Sequence, residues 1–361
     1  MNFKRLISFF LLMCVILTAF ACDKPEDNDK DDDPDNTTPP EEYNPYPYED
    51  LSVFMDLPRY DDITITEAFI EEYINIALSR VFSSEDLYVN VTGRACKQWD
   101  CVIIDFTGFL NGVAFQGGTA TDYPLVLGSK SFIPGFEAAI IGMNIGESKD
   151  IPLTFPEDYH SEDLAGEDVV FNVTLKGIKE PPVIDDAFCK EYTTRKDTET
   201  FWAMMREECI RSYVWESVLE RCVLKEEKPK EYTEFYQTFV SYFSGLAEQQ
   251  QLPLDNFLKQ YGGYFSDYGL YAGIDLETFY AIAVNYAESR LASDLLLHSI
   301  IRAEGLKTEG EAYDSAFEEL LESNGATKAD LISQYGYTTV VTSVMDIQVL
   351  RILSSLVTIV D

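Results

Sequence analysis

The stretch that decides the fold runs from Cys101 to Glu180 and reads CVIIDFTGFLNGVAFQGGTATDYPLVLGSKSFIPGFEAAIIGMNIGESKDIPLTFPEDYHSEDLAGEDVVFNVTLKGIKE. Short β-branched and aromatic runs, 102–106, 125–127, 151–154 and 170–175, are cut by clusters of Gly, Asn, Asp and Pro. Runs of that length with that punctuation predict a meander of antiparallel strands. Within it, residues 136–141 (Phe-Glu-Ala-Ala-Ile-Ile) are the one amphipathic piece that reads as a helix. A curved sheet wrapped on one short helix leaves a concave apolar pocket, and the aromatics of the stretch fall where they can line it.

Five segments carry more than a fold class: IIDFTG, AFQGG, LVLGSKSFIPGFEAAIIGMNIGE, TFPEDYH and VVFNVTLKGI, in this order. Together they resemble the FKBP-type peptidyl-prolyl isomerase domain, in the version carried by trigger factor. The resemblance implies a pocket with Phe106 on one wall, Phe115 on a second, and Tyr123 and Phe171 as further aromatic walls. It places Phe132 and Ile133 beside the substrate, with the Ile133 backbone as hydrogen-bond donor. Phe136 would be the floor and Tyr159 would stand at the entrance of the flap. Two departures from the family pattern are Gln116, where an acidic residue is usual, and a short flap between Tyr159 and Val169 without the tyrosine many members have.

The chemistry implied explains the residue types. Rotation about an X–Pro bond breaks amide resonance, with a barrier of about 18–20 kcal/mol. No bond to the enzyme, acid–base pair, metal or cofactor is required. An apolar pocket that desolvates the twisted amide and fits the proline ring suffices.

Composition narrows the setting. The 361 residues carry 63 acidic and 27 basic side chains, a formal net charge of −36. Such a surface repels phosphate backbones, so no nucleic-acid partner is expected. Residues 1–21 read as an export signal, with Lys4 and Arg5 before an apolar core too short to be a span with its own anchor. Ala19-Phe20-Ala21 then precedes Cys22, which resembles a bacterial lipobox with Cys22 as the lipidated residue. From Asp23 to Asp50 come twelve acidic residues, two lysines and six prolines. Residues 22–50 therefore read as an acidic, disordered tether that reaches at most roughly 90 Å. The expected location is extracytoplasmic and membrane-anchored, at the cell surface or the periplasmic face.

Five further cysteines follow: Cys96, Cys101, Cys189, Cys209 and Cys222. Cys96 and Cys101 are close enough in sequence to bridge. Cys209 and Cys222, thirteen residues apart on one predicted helix, are not, and read as small buried hydrophobes. With only His160 and His298 in the chain, a zinc site is not expected.

Residues 51–97 read as a connector whose helix opens at Thr66-Glu67 and shows Phe69, Tyr73, Ile76 and Leu78 as its stripe. The resembling family carries a ribosome-binding domain before this connector. No signature of it lies between Asp50 and Ile63, so no ribosome partner is expected. Residues 98–180 are the isomerase-like domain. Pro181-Pro182 marks a boundary, and residues 181–361 are helical in pattern: 199–224, 232–250 opened by Thr233, 276–304 capped by Asp275, 308–322, 328–334 and 339–360. This helix order resembles the C-terminal chaperone domain of trigger factor. Asp346 and Arg351 inside the last run make it a packing helix rather than a membrane span, since each would cost about 2.5–3.5 kcal/mol at a bilayer centre.

Twelve aromatics fall between Tyr232 and Tyr271. Surfaces rich in Tyr and Phe bind extended apolar segments at little ordering cost. Phe235, Phe239, Phe243, Tyr261, Tyr264 and Phe265 are thus candidates for contact with unfolded chains, and helix–helix core is the competing reading. The expected fold class is α+β, a sheet-and-helix domain followed by an all-α domain. The expected function is an anchored prolyl isomerase and chaperone acting on unfolded or proline-containing polypeptides. A non-catalytic peptide-gripping scaffold is the alternative.

Overall fold

The computed structural model describes residues 48–84, 86–159, 161, 163–193, 195–271 and 273–361. The segment expected to be an export signal, Cys22, His160 and nearly all of the stretch expected to be a tether lie outside the described residues. The described chain forms two compact units, residues 66–209 and residues 48–65 with 210–360. Residues 51–97, continuous as a connector in sequence, are shared between the two.

A short strand β1 (Thr64–Thr66) runs into helix α1 (Glu67–Ser84). The Thr66 hydroxyl accepts from the Phe69 N–H at 3.1 Å, a capping contact that satisfies one of the free donors of the first turn. The buried stripe of α1 is Ile70, Ile74, Leu78, Val81 and Phe82. This corrects the expected stripe: Phe69 is exposed, and only Leu78 is common to both. Ile70, Ile74, Leu78 and Val81 keep a three- to four-residue period, whereas Leu78 follows Ile76 by two residues and so falls on the opposite side of the helix from Phe69; the Phe188 ring packs edge-on against Phe82 on the buried face.

The sheet of the first unit contains β2 (Val89–Val91), β3 (Cys101–Leu110), β4 (Val113–Val126), β5 (Ser148–Thr154) and β6 (Asp168–Glu180). The order is β2-β6-β3-β4, with β5 also paired to β6, and every pairing is antiparallel. Alternation sets the inner face: Val102, Ile104 and Phe106 on β3, and Val169, Phe171, Val173 and Leu175 on β6, are buried. Between β4 and β5 the chain makes one short helix, α2 (Phe136–Ile140), whose Phe136 and Ile140 press into the same core. At the domain's base Asp100, with no exposed surface, accepts from Arg94 at 2.5 and 2.9 Å and from the Lys97 N–H at 2.8 Å. The unit continues through α3 (Asp186–Tyr192) into α4 (Thr198–Leu219).

Cys96 and Cys101 do not bridge. Both are free and buried, and burial pushes both thiols up. The Cys96 thiol instead donates to the Ile140 carbonyl at 3.1 Å, tying the entry of the sheet to the end of α2.

The second unit is helical: the part of α4 from Ile210 on, α5 (Lys230–Gln249), α6 (Leu254–Tyr261) with a 3₁₀ turn at Gly262–Tyr268, α7 (Leu276–Ala303), α8 (Glu311–Asn324), α9 (Lys328–Tyr335) and α10 (Tyr337–Ser355). The Asp275 side chain caps α7 by accepting from the Thr278 N–H, and Gly305 closes it with φ +63°. Other expected ends move. Helix α4 stops at Leu219 because Leu224 leaves to bridge Met55 and the Lys225 N–H donates to Phe54. Helix α5 begins at Lys230 after Pro229, with Thr233 inside it, and α8 begins at Glu311 after Gly310. The last run does not stay helical to Val360. Its β-branched end, β7 (Thr358–Val360), pairs with β1, and the Thr358 N–H donates to Ile63 at 2.9 Å. Among the described residues no helix is long and apolar enough to cross a membrane.

One polar knot stitches this unit. The Glu319 carboxylate on α8 accepts from Arg211 on α4 at 2.5 Å and from Arg351 on α10 at 2.6 Å. Arg351, a charge that disfavours a membrane span, thus has a half-buried anionic partner. Together the two arginines hold the Glu319 carboxyl below its ordinary value despite the burial that opposes them.

Candidate active site

The inner face of the sheet and the start of α2 bring the predicted aromatics into one cluster. Phe106 is its hub, with ring centroids 5.8 Å from Tyr123, 5.4 Å from Phe132, 6.0 Å from Phe136 and 6.2 Å from Phe171. Most of these contacts are edge-to-face, the geometry that ring quadrupoles favour. Phe136 meets Phe171 at 5.1 Å, and Phe115 joins through Phe171 at 5.8 Å. Tyr159 approaches by way of Phe155, whose ring lies 4.5 Å from it and 5.9 Å from Phe115. Ile133 packs against the same core. All eight residues expected to form the pocket are therefore neighbours.

Two irregularities in the β3–β4 pairing place the walls. The register slips between Ile104 and Phe106, leaving an extra residue on β4 where Asp122 takes φ +53°. The Asp105 carboxylate accepts the Asp122 N–H at 2.7 Å, and that bond holds the Asp105 carboxyl below its usual value. The bulge re-aims the next residue, Tyr123, onto Phe106 and Phe132. A wider slip between Thr107 and Phe109 loops out residues 115–118, Phe-Gln-Gly-Gly. The Phe115 ring then lies where side chains on Gly108 or Gly118 would stand: a Cβ on either would come within 2.5 Å of it. The glycines of FTG and QGG are thus the space into which the second wall folds.

The floor is covered. Phe136 has no exposed surface, because Phe132 stacks on it at 4.3 Å with ring planes 20° apart. The floor ring is thus closed to solvent in this arrangement. A groove of about 610 Å³ does open on the outer face of the sheet, among Thr107, Phe109, Asn111, Asp150, Val170 and Asn172. It shares no residue with the aromatic cluster.

One residue of this site escaped the sequence reading. Glu137, next to the floor ring and buried, turns its carboxylate onto the backbone of residues 128–132, the loop that carries Phe132. The signal available was an acid in an otherwise apolar helical turn, which alone reads as a solvated position.

The aromatic candidates of the helical unit divide. Phe239 and Phe243 are core, 3% and 0% exposed, packed on Phe279 at 5.6 and 5.7 Å, which corrects their expected role in client contact. Phe235 is half-buried beneath the Arg290 guanidinium, 5.5 Å from its ring. Tyr261 and Phe265 are half-buried against Phe257. Tyr264 is 83% exposed, and Tyr242 and Tyr271, not singled out from sequence, are exposed as well. Core demand and surface demand call on the same residue types, so density alone could not separate them.

Comparison with known proteins agrees with this geometry. Residues 93–176 match the FKBP-type peptidyl-prolyl cis-trans isomerase family and form a domain of that type. Over 284 residues the chain is 31% identical to the trigger factor of Halothermothrix orenii, covering 76% of this chain and 63% of that protein. It is 31% identical to the trigger factor of Bacillus subtilis over 278 residues (73% and 62%), and 35% identical to that of Syntrophotalea carbinolica over 258 (68% and 56%). The chain thus spans about three fifths of the length of these relatives. Likeness to a solved trigger factor chaperone chain, at 16% identity and a TM-score of 0.29, is too loose to carry the arrangement of the helices.

Proposed function

We propose that this trigger factor-like chain is a peptidyl-prolyl cis-trans isomerase that also holds unfolded polypeptides, and that it works outside the cytoplasm on exported chains. The observation that carries the isomerase half is the convergence of Phe106, Phe115, Tyr123, Phe132, Phe136 and Phe171 on one apolar cluster, inside a segment that matches the isomerase family. The reaction follows from what such a site offers. A proline ring seated among the rings leaves water, and the twisted amide, having lost conjugation, is favoured in an environment that does not solvate the planar form. Phe106, Phe171 and Tyr123 wall the ring and Phe136 supports it once Phe132 has moved. The Ile133 N–H donates to the peptide carbonyl.

The holding function rests on the exposed Tyr242, Tyr264 and Tyr271, beside a chain of net charge −36 that favours neutral or basic segments. Location rests on residues 1–22: a basic start, a short apolar core and Cys22 after small residues. Lipid on Cys22 would fix the chain to a membrane, and the acidic stretch after it would hold the folded units clear of the surface. A location outside the cytoplasm leaves no ribosome as partner.

Two refolding clients test the pair of activities. A client limited by prolyl isomerisation should refold faster with the full chain, and a proline-free client should aggregate less. Acceleration without suppression would remove the holding function, and suppression without acceleration would favour a non-catalytic binding protein. For the anchor, Cys22→Ser should move the protein from the detergent phase to the aqueous phase. Retention in detergent would refute lipidation at Cys22.

A further inference from the structure

We infer that Glu137 is the positioning residue of the site. Its carboxylate gathers the backbone of the 128–132 loop so that, from 128 to 134, the Ile133 N–H alone stays open to a peptide carbonyl. This rests on the isomerase reading for its ligand, an X–Pro peptide, and adds the residue that prepares the site for it.

One carboxylate oxygen accepts from the Gly128 N–H at 2.7 Å and the Lys130 N–H at 3.2 Å. The other accepts from the Ser131 N–H at 2.9 Å and the Phe132 N–H at 3.2 Å, with the Ser129 and Ser131 hydroxyls at 3.4 Å. The Ser129 N–H is taken by the Val126 carbonyl at 3.2 Å. Every backbone donor from 128 to 132 is therefore occupied, and Pro134 has none to give. Between them, among the described residues, the Ile133 N–H meets no acceptor.

The loop is built for this. Gly128 at φ +104° and Lys130 at φ +58° curl the backbone so that successive N–H groups point inward, the arrangement that makes an anion-binding concavity. Here the anion is the chain's own side chain. Glu137 follows the floor ring Phe136, and Phe132 is the last residue the carboxylate holds, so one side chain fixes the floor, its cover and the donor together. A neutral amide cannot replace it: Gln offers one acceptor oxygen, and its NH₂ would face N–H groups on the other branch.

The test is Glu137→Gln, with Glu137→Asp as the conservative variant, in the full chain. Backbone amide exchange, the NMR shift of the Ile133 amide on adding an X–Pro tetrapeptide, and kcat/KM are measured together. In Glu137→Gln, exchange at 128, 130, 131 and 132 should rise about tenfold or more while β3, β5 and β6 amides keep their protection. The Ile133 response should be lost, and kcat/KM should fall about ten- to a hundredfold, the scale of an ångström-sized misplacement. Glu137→Asp should recover part of both. A purely structural role would lower stability without singling out these amides.

Unchanged exchange in the loop overturns the inference, as does an opened loop with full kcat/KM and an intact Ile133 response. If the wild-type chain shows no turnover but its Ile133 amide still answers the peptide, the isomerase reading fails and the positioning role stands. If neither is seen, both fail. Should Glu137→Gln not fold, the wild-type chain decides. Slow, common exchange at the four held amides beside fast exchange at Ile133 supports the inference, and fast exchange at the four refutes it.

Discussion

Truncating Phe132 should tighten peptide binding rather than weaken it. The ring lies 4.3 Å from Phe136 and is one of those that leave it with no exposed surface, so on this reading a proline enters the floor position by displacing the stack. An aromatic pair of this kind is worth about 0.5–1.5 kcal/mol beyond its buried area. At about 1.4 kcal/mol per tenfold, Phe132→Ala should lower the Kd of an X–Pro tetrapeptide about two- to tenfold. Loss of the Phe106 contact at 5.4 Å and the Tyr123 contact at 5.6 Å works against folded stability. Phe132 is only half-buried, so the penalty should fall short of the about 3–5 kcal/mol of a buried Phe→Ala. Titration calorimetry on wild type and variant, with circular dichroism confirming the fold, measures the change. Weaker binding by a folded Phe132→Ala would show that this ring grips the substrate as a wall, and would refute its reading as a cover.

Gly108→Ala should unseat the second wall, because its Cβ would lie 2.5 Å from the Phe115 ring and 2.7 Å from Phe171; about 1–3 kcal/mol lost in denaturant titration, with reduced turnover, is expected. Glu319→Ala should cost the helical unit about 1.5–3 kcal/mol by removing the carboxylate that joins Arg211 on α4 to Arg351 on α10, read from the urea midpoint. The same group sets a pH dependence. Its folded value is held below the ordinary 4.5, so its stabilisation is complete above that value and is lost as pH falls through the lowered one, which acid titration of the unfolding midpoint checks. Phe243→Ala should destabilise without a specific effect on client holding, whereas Tyr264→Ala should leave the melting curve unchanged and weaken suppression of aggregation. The reverse pattern would return Phe243 to the client surface.

The sheet and its site were legible because alternation fixes which strand residues face inward, and the motif order fixes which of those are aromatic. Phe106, Phe136 and Phe171 are placed by the resemblance of their motifs to the isomerase family, and their burial agrees with it. The position of Phe115 depends on a loop of residues 115–118 that no periodicity reveals, although the glycines that receive its ring stand in the same motifs. Glu137 was invisible because its partners are backbone groups, which every residue carries. Helix ends were misread where a distant segment competes for the same backbone: Met55 draws Leu224 out of α4, and Ile63 holds Thr358 in a strand. In α1 the stripe from Phe69 through Tyr73 and Ile76 and the stripe through Ile70, Ile74, Leu78 and Val81 have the same period, Leu78 belongs to the second, and Phe188 packs on that second face through Phe82.

Turnover of prolyl bonds at the aromatic cluster around Phe106 is the activity on which the other expectations depend. Cis–trans exchange of an X–Pro tetrapeptide, which takes tens to hundreds of seconds uncatalysed at 25 °C, measures it directly. With the wild-type chain at catalytic concentration the exchange should be markedly faster, and folded Phe106→Leu should lose most of that acceleration. A folded wild-type chain that leaves the exchange at its uncatalysed rate, or a Phe106→Leu variant as fast as wild type, would contradict the account.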